Sequence, residues 1–242
     1  MKEARLQLPD LLKKNPYPGR GIMMGLTPGG DAAVMLYFIM GRSDNSRNRV
    51  FELDGEELRI RLFDDAAVTD PSLILYRPTA TVDARYILTN GDQTDSIVAA
   101  LRAGRRFEDA LNERCFEPDA PNYTPRISGL LTKNGISLSI LRAADAAGSA
   151  CDRLYFHYPL LAGQGRFIHT YDTDGNPLPP FTGEPRQVAI PVDVAAFSRE
   201  VWDSLDESNR VALFVRRLDM KTNQSQFFIY NRHPVKEGAR HG

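Results

Sequence analysis

The apolar run Ala32–Met40 (AAVMLYFIM) passes without a break into GRSDNSRNR. A strand with one wet face alternates apolar and polar side chains, so an unbroken run rich in Val, Leu, Tyr, Phe and Ile predicts a strand covered on both faces. The end of such a strand lies against the core, and the next residues deliver three arginines there, Arg42, Arg47 and Arg49. Guanidiniums are costly to desolvate unless an anion or several acceptors meet them. Two readings stay open from this stretch alone. One is a phosphate- or carboxylate-binding site, and the other is a polar hairpin loop whose arginines point to water.

The rest of the chain reads as support for that strand. Met1–Pro16 is a helical or irregular lead-in whose Leu6, Leu8, Leu11 and Leu12 pack on the adjoining domain, and 234–242 is a basic, mobile tail, leaving 17–233 as one domain. Strands are predicted at Ile22–Leu26, Val50–Leu53, Leu58–Phe63, Leu73–Tyr76, Arg85–Thr89, Arg126–Leu131, Ile136–Leu141, Arg153–Tyr158, Arg166–Tyr171, Val211–Leu218 and Gln226–Tyr230. Pro78–Asp83 reads as a loop, and Asn134-Gly135 as the centre of a type I′ hairpin turn. After Tyr86–Thr89 comes Asn90-Gly91-Asp92-Gln93-Thr94-Asp95 and a helix Ser96–Ala103 capped by Asp92 or Thr94, then a helix Phe107–Cys115. Asp193 caps a helix reaching Leu205. Hairpin-linked strands with helices in consecutive positions argue for α+β with mostly antiparallel sheets over a doubly wound fold.

The charge balance, 30 basic against 31 acidic residues, provides no global field for nucleic acid or anionic membrane. Two cysteines, Cys115 and Cys151, without CxxC favour a reducing cytoplasm over a disulfide framework, and no apolar span approaches 20 residues. His157, His169, His233 and His241 lie apart, which disfavours a zinc site, and there is no P-loop, GxGxxG or GxSxG. Cys115 with His157 or His169 as a thiol nucleophile is set below an ordinary packed cysteine. Carboxylates beside arginines and amides remain. The segment Phe116–Arg126, stiffened by Pro118, Pro121 and Pro125, can hold a carboxylate in one orientation for acid/base work, or it is a solvated loop.

These pieces together resemble a known pattern. Tyr17–Arg20 as YxGR, Arg42-Ser43 and Asn48-Arg49 as RS…NR, Tyr76, Asn90–Ile97 as NGxxTDxI and Phe116–Ile127 near YExDxxN…TPRI are similar to the archaeal-type IMP cyclohydrolase family, over most of Tyr17–Arg232. The resemblance implies a four-layer αββα sandwich like that of N-terminal-nucleophile hydrolases. It implies a cytoplasmic enzyme of purine biosynthesis that closes the ring of 5-formamidoimidazole-4-carboxamide ribonucleotide to give IMP and water, without metal or redox cofactor. Arg49 as charge stabiliser and Glu117 as general base are the implied catalytic pair. Arg20, Arg42 and Arg126 are the implied phosphate and ribose contacts, with Arg47 able to replace any one of them. Tyr76, Asn90, Gly91, Thr94, Asp95 and Thr124 complete the substrate-binding set. The implied partner is a purine ribonucleotide, with no nucleic acid or membrane, and a homo-oligomer is left open.

The chain departs from the family pattern in four places. Its arginine loop is longer than RSxxNR, so Arg47 competes with Arg49; Tyr123 stands between Asn122 and Thr124; Phe116 replaces tyrosine; and the lead-in is additional. The alternatives are therefore a diverged amide hydrolase or cyclohydrolase on another purine nucleotide, or a non-catalytic nucleotide-binding module.

Overall fold

The computed structural model describes residues 5–64 and 75–235. The apolar run forms a strand with the bounds the sequence predicts, Ala32–Met40, and every residue in it is buried. It lies inside a six-stranded antiparallel sheet in the order β11 (Arg186–Ala189), β10 (Gln164–His169), β1 (Arg20–Leu26), β2 (Ala32–Met40), β12 (Arg210–Asp219), β13 (Ser225–Asn231). A five-stranded antiparallel sheet runs β5 (Thr79–Val82), β6 (Arg85–Thr89), β7 (Arg126–Thr132), β8 (Gly135–Ala143), β9 (Cys151–Tyr158). A separate hairpin joins β3 (Arg49–Asp54) to β4 (Glu57–Leu62). The helices are α1 (Leu8–Lys14), α2 (Asp44–Arg47), α3 (Gln93–Arg102), α4 (Phe107–Asn112) and α5 (Val194–Ser204). No helix among the described residues is long and apolar enough to cross a membrane.

The pleat of β2 sorts its side chains onto two faces. Ala33, Met35, Tyr37 and Ile39 join a core shared with Phe51 and Leu58 of the separate hairpin and with Leu88, Ile127 and Leu138 of the five-stranded sheet. Val34, Leu36, Phe38 and Met40 pack instead with Leu8 and Leu12 of α1 and Val194, Phe197 and Val201 of α5. On the far face of the five-stranded sheet, Ile87, Leu130 and Leu141 meet Ile97 and Leu101 of α3 and Phe107 and Leu111 of α4. Burying each such Leu, Ile or Phe side chain contributes about 1.5–3 kcal/mol, so the double coverage of β2 explains why no polar residue interrupts it. The sheets approach closely where a side chain on Gly129 of β7 would strike the Met24 side chain, with Ile22 just beyond.

Several expectations need correction. Thr79–Val82 is a strand, paired with β6 through a two-residue turn in which Asp83 and Ala84 both take positive φ, at 48° and 55°. No glycine marks that turn, so the segment looked like a loop. Residues 75–76 are not in a strand, and 73–74 lie outside the described residues, as do 1–4 of the lead-in and 236–242 of the tail. The β7–β8 loop is Lys133-Asn134, since Thr132 pairs with Gly135, so Asn-Gly is not its central dipeptide. β11 was missed because it is short and offers only Val188 as a buried apolar residue. α4 ends at Asn112, before Cys115, which is exposed rather than packed. Among the described residues there are thirteen strands and five helices. The Asp193 cap is as expected, with its carboxylate accepting from the Ala196 N–H at 2.9 Å. Within the lead-in, Leu8 and Leu12 are buried and Leu6 is exposed.

Candidate active site

Five chain segments meet at one end of the two sheets: the start of β1, the start of β3, the residues around Tyr76, the Phe116–Pro125 segment and the end of β10. The sequence puts a charge or a phenol on each. Arg49, the first residue of β3, is fully buried. Its Nε donates to the Ser46 carbonyl at 2.9 Å, but Nη1 and Nη2 are buried with no hydrogen-bond partner. Short α2, closed by a reciprocal Ser43–Ser46 capping box, turns the chain so that Arg49 points inward. Burial, and next the neighbouring Arg20 charge, depress the Arg49 pKa from its ordinary value, while Tyr76, Tyr37 and Tyr17 oppose them. Arginine remains protonated at neutral pH through such a shift.

Arg20 on β1 has a buried, unbonded Nε as well. Burial works against its charge, yet Glu117, followed by Tyr171, Tyr17 and Tyr76, outweighs burial and raises its pKa. Glu117 itself is 4% exposed. Desolvation pushes its carboxyl up to about 7, against the pull of Arg20, Arg126 and, more weakly, Arg49, with Asp119 adding to the rise. Glu117 thus couples electrostatically more strongly to Arg20 than to Arg49, and Arg49 is left with less compensation.

The Phe116–Pro125 segment is held by its own hydrogen bonds. Glu117 N–H donates to the Thr124 carbonyl at 2.9 Å, and Asp119 accepts from the Thr124 N–H at 2.6 Å and from its hydroxyl at 2.5 Å. Thr124 Oγ1 also meets the Tyr171 hydroxyl at 2.6 Å. Phe116 packs edge-on against Tyr123, and Leu178 N–H donates to Asn122. The solvated-loop reading therefore fails for Glu117, although Pro118 and Pro121 are exposed. Tyr171 stacks near Tyr17, with ring centroids 6.0 Å apart, and the Arg42 guanidinium lies 5.2 Å from the Tyr17 ring. Burial lowers the His169 pKa to about 4, so the ring is neutral and its Nδ1 sits 2.9 Å from the Tyr171 carbonyl.

Of the residues singled out from sequence, the structure brings together Arg20, Arg49, Tyr76, Glu117, Thr124 and Arg126. Arg126 donates to Asp92 at 2.5 Å and to Gln93 at 2.9 Å at the start of α3 while its charge acts on Glu117. That ion pair occupies Asp92, which makes no capping bond, and Thr94 lies within the helix bonded to Thr89. A side chain at Gly91 would press on the Arg126 guanidinium and the Gln93 amide oxygen and displace their contact. Asn90 is buried and spent on Pro125 and Ile127. Asp95 is exposed and paired with Arg77. Arg47 is tied to the Gly41 carbonyl and Asn209, and Arg42 to Asp174 and Gly175. Tyr37 and Tyr171 were missed, and Tyr17 was read only as the first residue of YxGR. For Tyr37 the available signal was a phenol inside an unbroken apolar run, which needs a partner for its hydroxyl.

A sequence model described as IMP cyclohydrolase-like protein matches residues 17–223. The chain belongs to the IMP cyclohydrolase-like protein family. A search of curated proteins found no match. In this IMP cyclohydrolase-like chain the matched span opens on Tyr17 and includes every residue of the cleft described above. Two cations with open hydrogen-bond positions beside a carboxyl that titrates near neutrality can receive an anionic or developing-anionic oxygen and move a proton next to it.

Proposed function

We propose that the protein closes the six-membered ring of 5-formamidoimidazole-4-carboxamide ribonucleotide to give IMP and water, as a cytoplasmic enzyme of purine nucleotide biosynthesis. The layer order, helices, sheet, sheet, helices, fits a four-layer αββα sandwich of the N-terminal-nucleophile hydrolase type. One observation carries the reading: Arg49 is buried with both terminal nitrogens unbonded, in the same electrostatic neighbourhood as Glu117, whose carboxyl burial pushes up to about 7. An uncompensated buried cation is expensive, and a ligand oxygen that accumulates charge supplies what it lacks.

The chemistry matches those two groups. The carboxamide nitrogen is a poor nucleophile because its lone pair is delocalised, and it must attack a formyl carbon whose oxygen becomes anionic. Glu117 takes the N–H proton as the new C–N bond forms, and Arg49 stabilises the oxygen. Protonated Glu117 then returns its proton to the oxyanion to give a hydroxyl; Glu117 next takes the formamido N–H proton and passes it to that hydroxyl as the C–O bond breaks and the C=N bond forms, and water is released. Holding amide and formyl groups of one molecule together removes much of the entropic barrier. Arg20 and Arg126 supply the positive field that limits the rise of the Glu117 pKa. Arg42, partly exposed over Tyr17, is placed for the ribose phosphate at the rim. Arg47, with its hydrogen bonds already satisfied, is the weaker claimant to the Arg49 role.

The test follows ultraviolet absorbance while micromolar protein is incubated with the formylated ribonucleotide. Conversion to IMP is expected in the wild type and lost in Glu117→Gln, with IMP affinity within a few fold. Tight IMP binding without conversion would favour a binding module, and parallel loss of binding and turnover in Glu117→Gln would make that residue structural.

A further inference from the structure

Tyr37 sits on β2 with no exposed surface, its ring stacked on Phe51 at 5.5 Å between centroids. Its hydroxyl oxygen is 2.5 Å from that of Tyr76. Each phenol has one proton, so only one of the two can donate in this contact. Opposite Tyr37 across the sheet stand Ile22 and Phe214, which offer no side-chain acceptor. The charged groups near it are Arg20 and Arg49, whose guanidiniums carry donors only. Among the described residues the Tyr76 oxygen is thus the acceptor that Tyr37 meets, and a buried hydroxyl proton is costly to leave unbonded. Tyr37 therefore donates, and the Tyr76 proton turns the other way. Tyr76, partly exposed, faces the same two arginines. Its oxygen accepts from Tyr37, which leaves the O–H free for a ligand acceptor beside the unbonded Arg49 nitrogens.

We propose that Tyr37 is a positioning residue, which fixes the Tyr76 hydroxyl so that its proton is presented to the substrate oxygen that Arg49 stabilises. This rests on the ring-closure reading for its consequence in turnover, but the phenol pair itself does not. Two donors aimed at one developing oxyanion are effective only if both are oriented before the reaction, and a freely rotating phenol would spend much of its time misdirected.

The experiment pairs Tyr37→Phe, which keeps the stacked ring, with Tyr76→Phe and the double variant. Tyr37→Phe is expected to lower kcat about tenfold with KM within about twofold, and the double variant to be no slower than Tyr76→Phe alone. Full activity in Tyr37→Phe, or losses that multiply in the double variant, would overturn the proposal. A readout free of catalysis accompanies it: a slowly exchanging hydroxyl proton, with NMR cross-peaks to both rings, in the free wild-type protein and absent from Tyr37→Phe. Its absence from the wild type would refute the Tyr37 contact whatever the activity. A wild type that shows this proton but makes no IMP would instead count against ring closure alone.

Discussion

Arg49 and Arg216 are both arginines on strands, both almost wholly removed from water, and they have opposite surroundings. Arg216 on β12, 5% exposed, donates from Nε to Ser225 at 2.9 Å and from Nη2 to Glu56 at 2.8 Å. Its guanidinium lies 4.8 Å from the Tyr86 ring centroid and 5.4 Å from that of Phe227. Burial lowers its pKa, but Glu56 and Tyr86 work in the opposite direction. Arg49 has the Ser46 carbonyl for its Nε and nothing for its two terminal nitrogens. A buried cation whose donors are satisfied by the protein serves the fold. One whose donors are unmet marks a place where something outside the chain is expected, and burial alone does not separate the two cases.

The sharpest way to break this comparison is Arg49→Met. Turnover should fall about a thousandfold, while thermal stability stays level or rises, because an uncompensated charge leaves the interior. A drop in melting temperature as large as that from Arg216→Ala would place both arginines in the same structural class. Next comes the pH dependence set by Glu117, whose folded-state pKa is raised from 4.5 to about 7 by burial. The folded state holds that proton more tightly than the unfolded chain does. Its contribution is therefore full below the ordinary carboxyl range and is lost as pH climbs through about 7, a change of about 3 kcal/mol. The basic form needed for proton abstraction grows over the same interval, so turnover should rise while stability falls. Glu117→Gln should flatten the stability profile in denaturant titrations at pH 5 and pH 8, and an unchanged slope would remove Glu117 from the buried set.

Arg216→Ala is expected to cost about 2 kcal/mol in chemical denaturation, from lost packing and the Ser225 bond, with kcat altered less than about threefold. Little of that cost belongs to the Glu56 pair, since the Glu56 side chain is 62% exposed. The smallest effect is expected from Arg47→Ala, with turnover within about threefold of wild type and stability within about 1 kcal/mol. A large loss of turnover there would shift the charge-stabilising role from Arg49 to Arg47.

Strong local patterns were legible. The β2 run, the Asp193 cap and the final strand pair each follow from periodicity or capping chemistry over a few residues. The order of the six-stranded sheet was not, because β10, β1, β2 and β12 come together through side-chain packing across distant parts of the chain. Thr79–Val82 was hidden by a turn without glycine. At the site, Arg49 and Glu117 could be named, but not the buried phenols Tyr37 and Tyr171, since in a one-dimensional reading Tyr37 counts as one more apolar residue of its strand. Asn90 and Thr94 read as ligand donors because amides and hydroxyls at a helix start often are. Only the folded chain reveals that Pro125, Ile127 and Thr89 have already claimed them.

The alternation of β2 gives Tyr37 a second significance. Its neighbours Leu36 and Phe38 face the helices α1 and α5, while Tyr37 faces the layer between the sheets, where its hydroxyl meets Tyr76. Sliding β2 by one position against β1 and β12 would exchange these faces, sending the hydroxyl under the helices and away from Tyr76. The hydroxyl thereby works as an index mark, making the misaligned pairing of an otherwise featureless greasy strand the more expensive one.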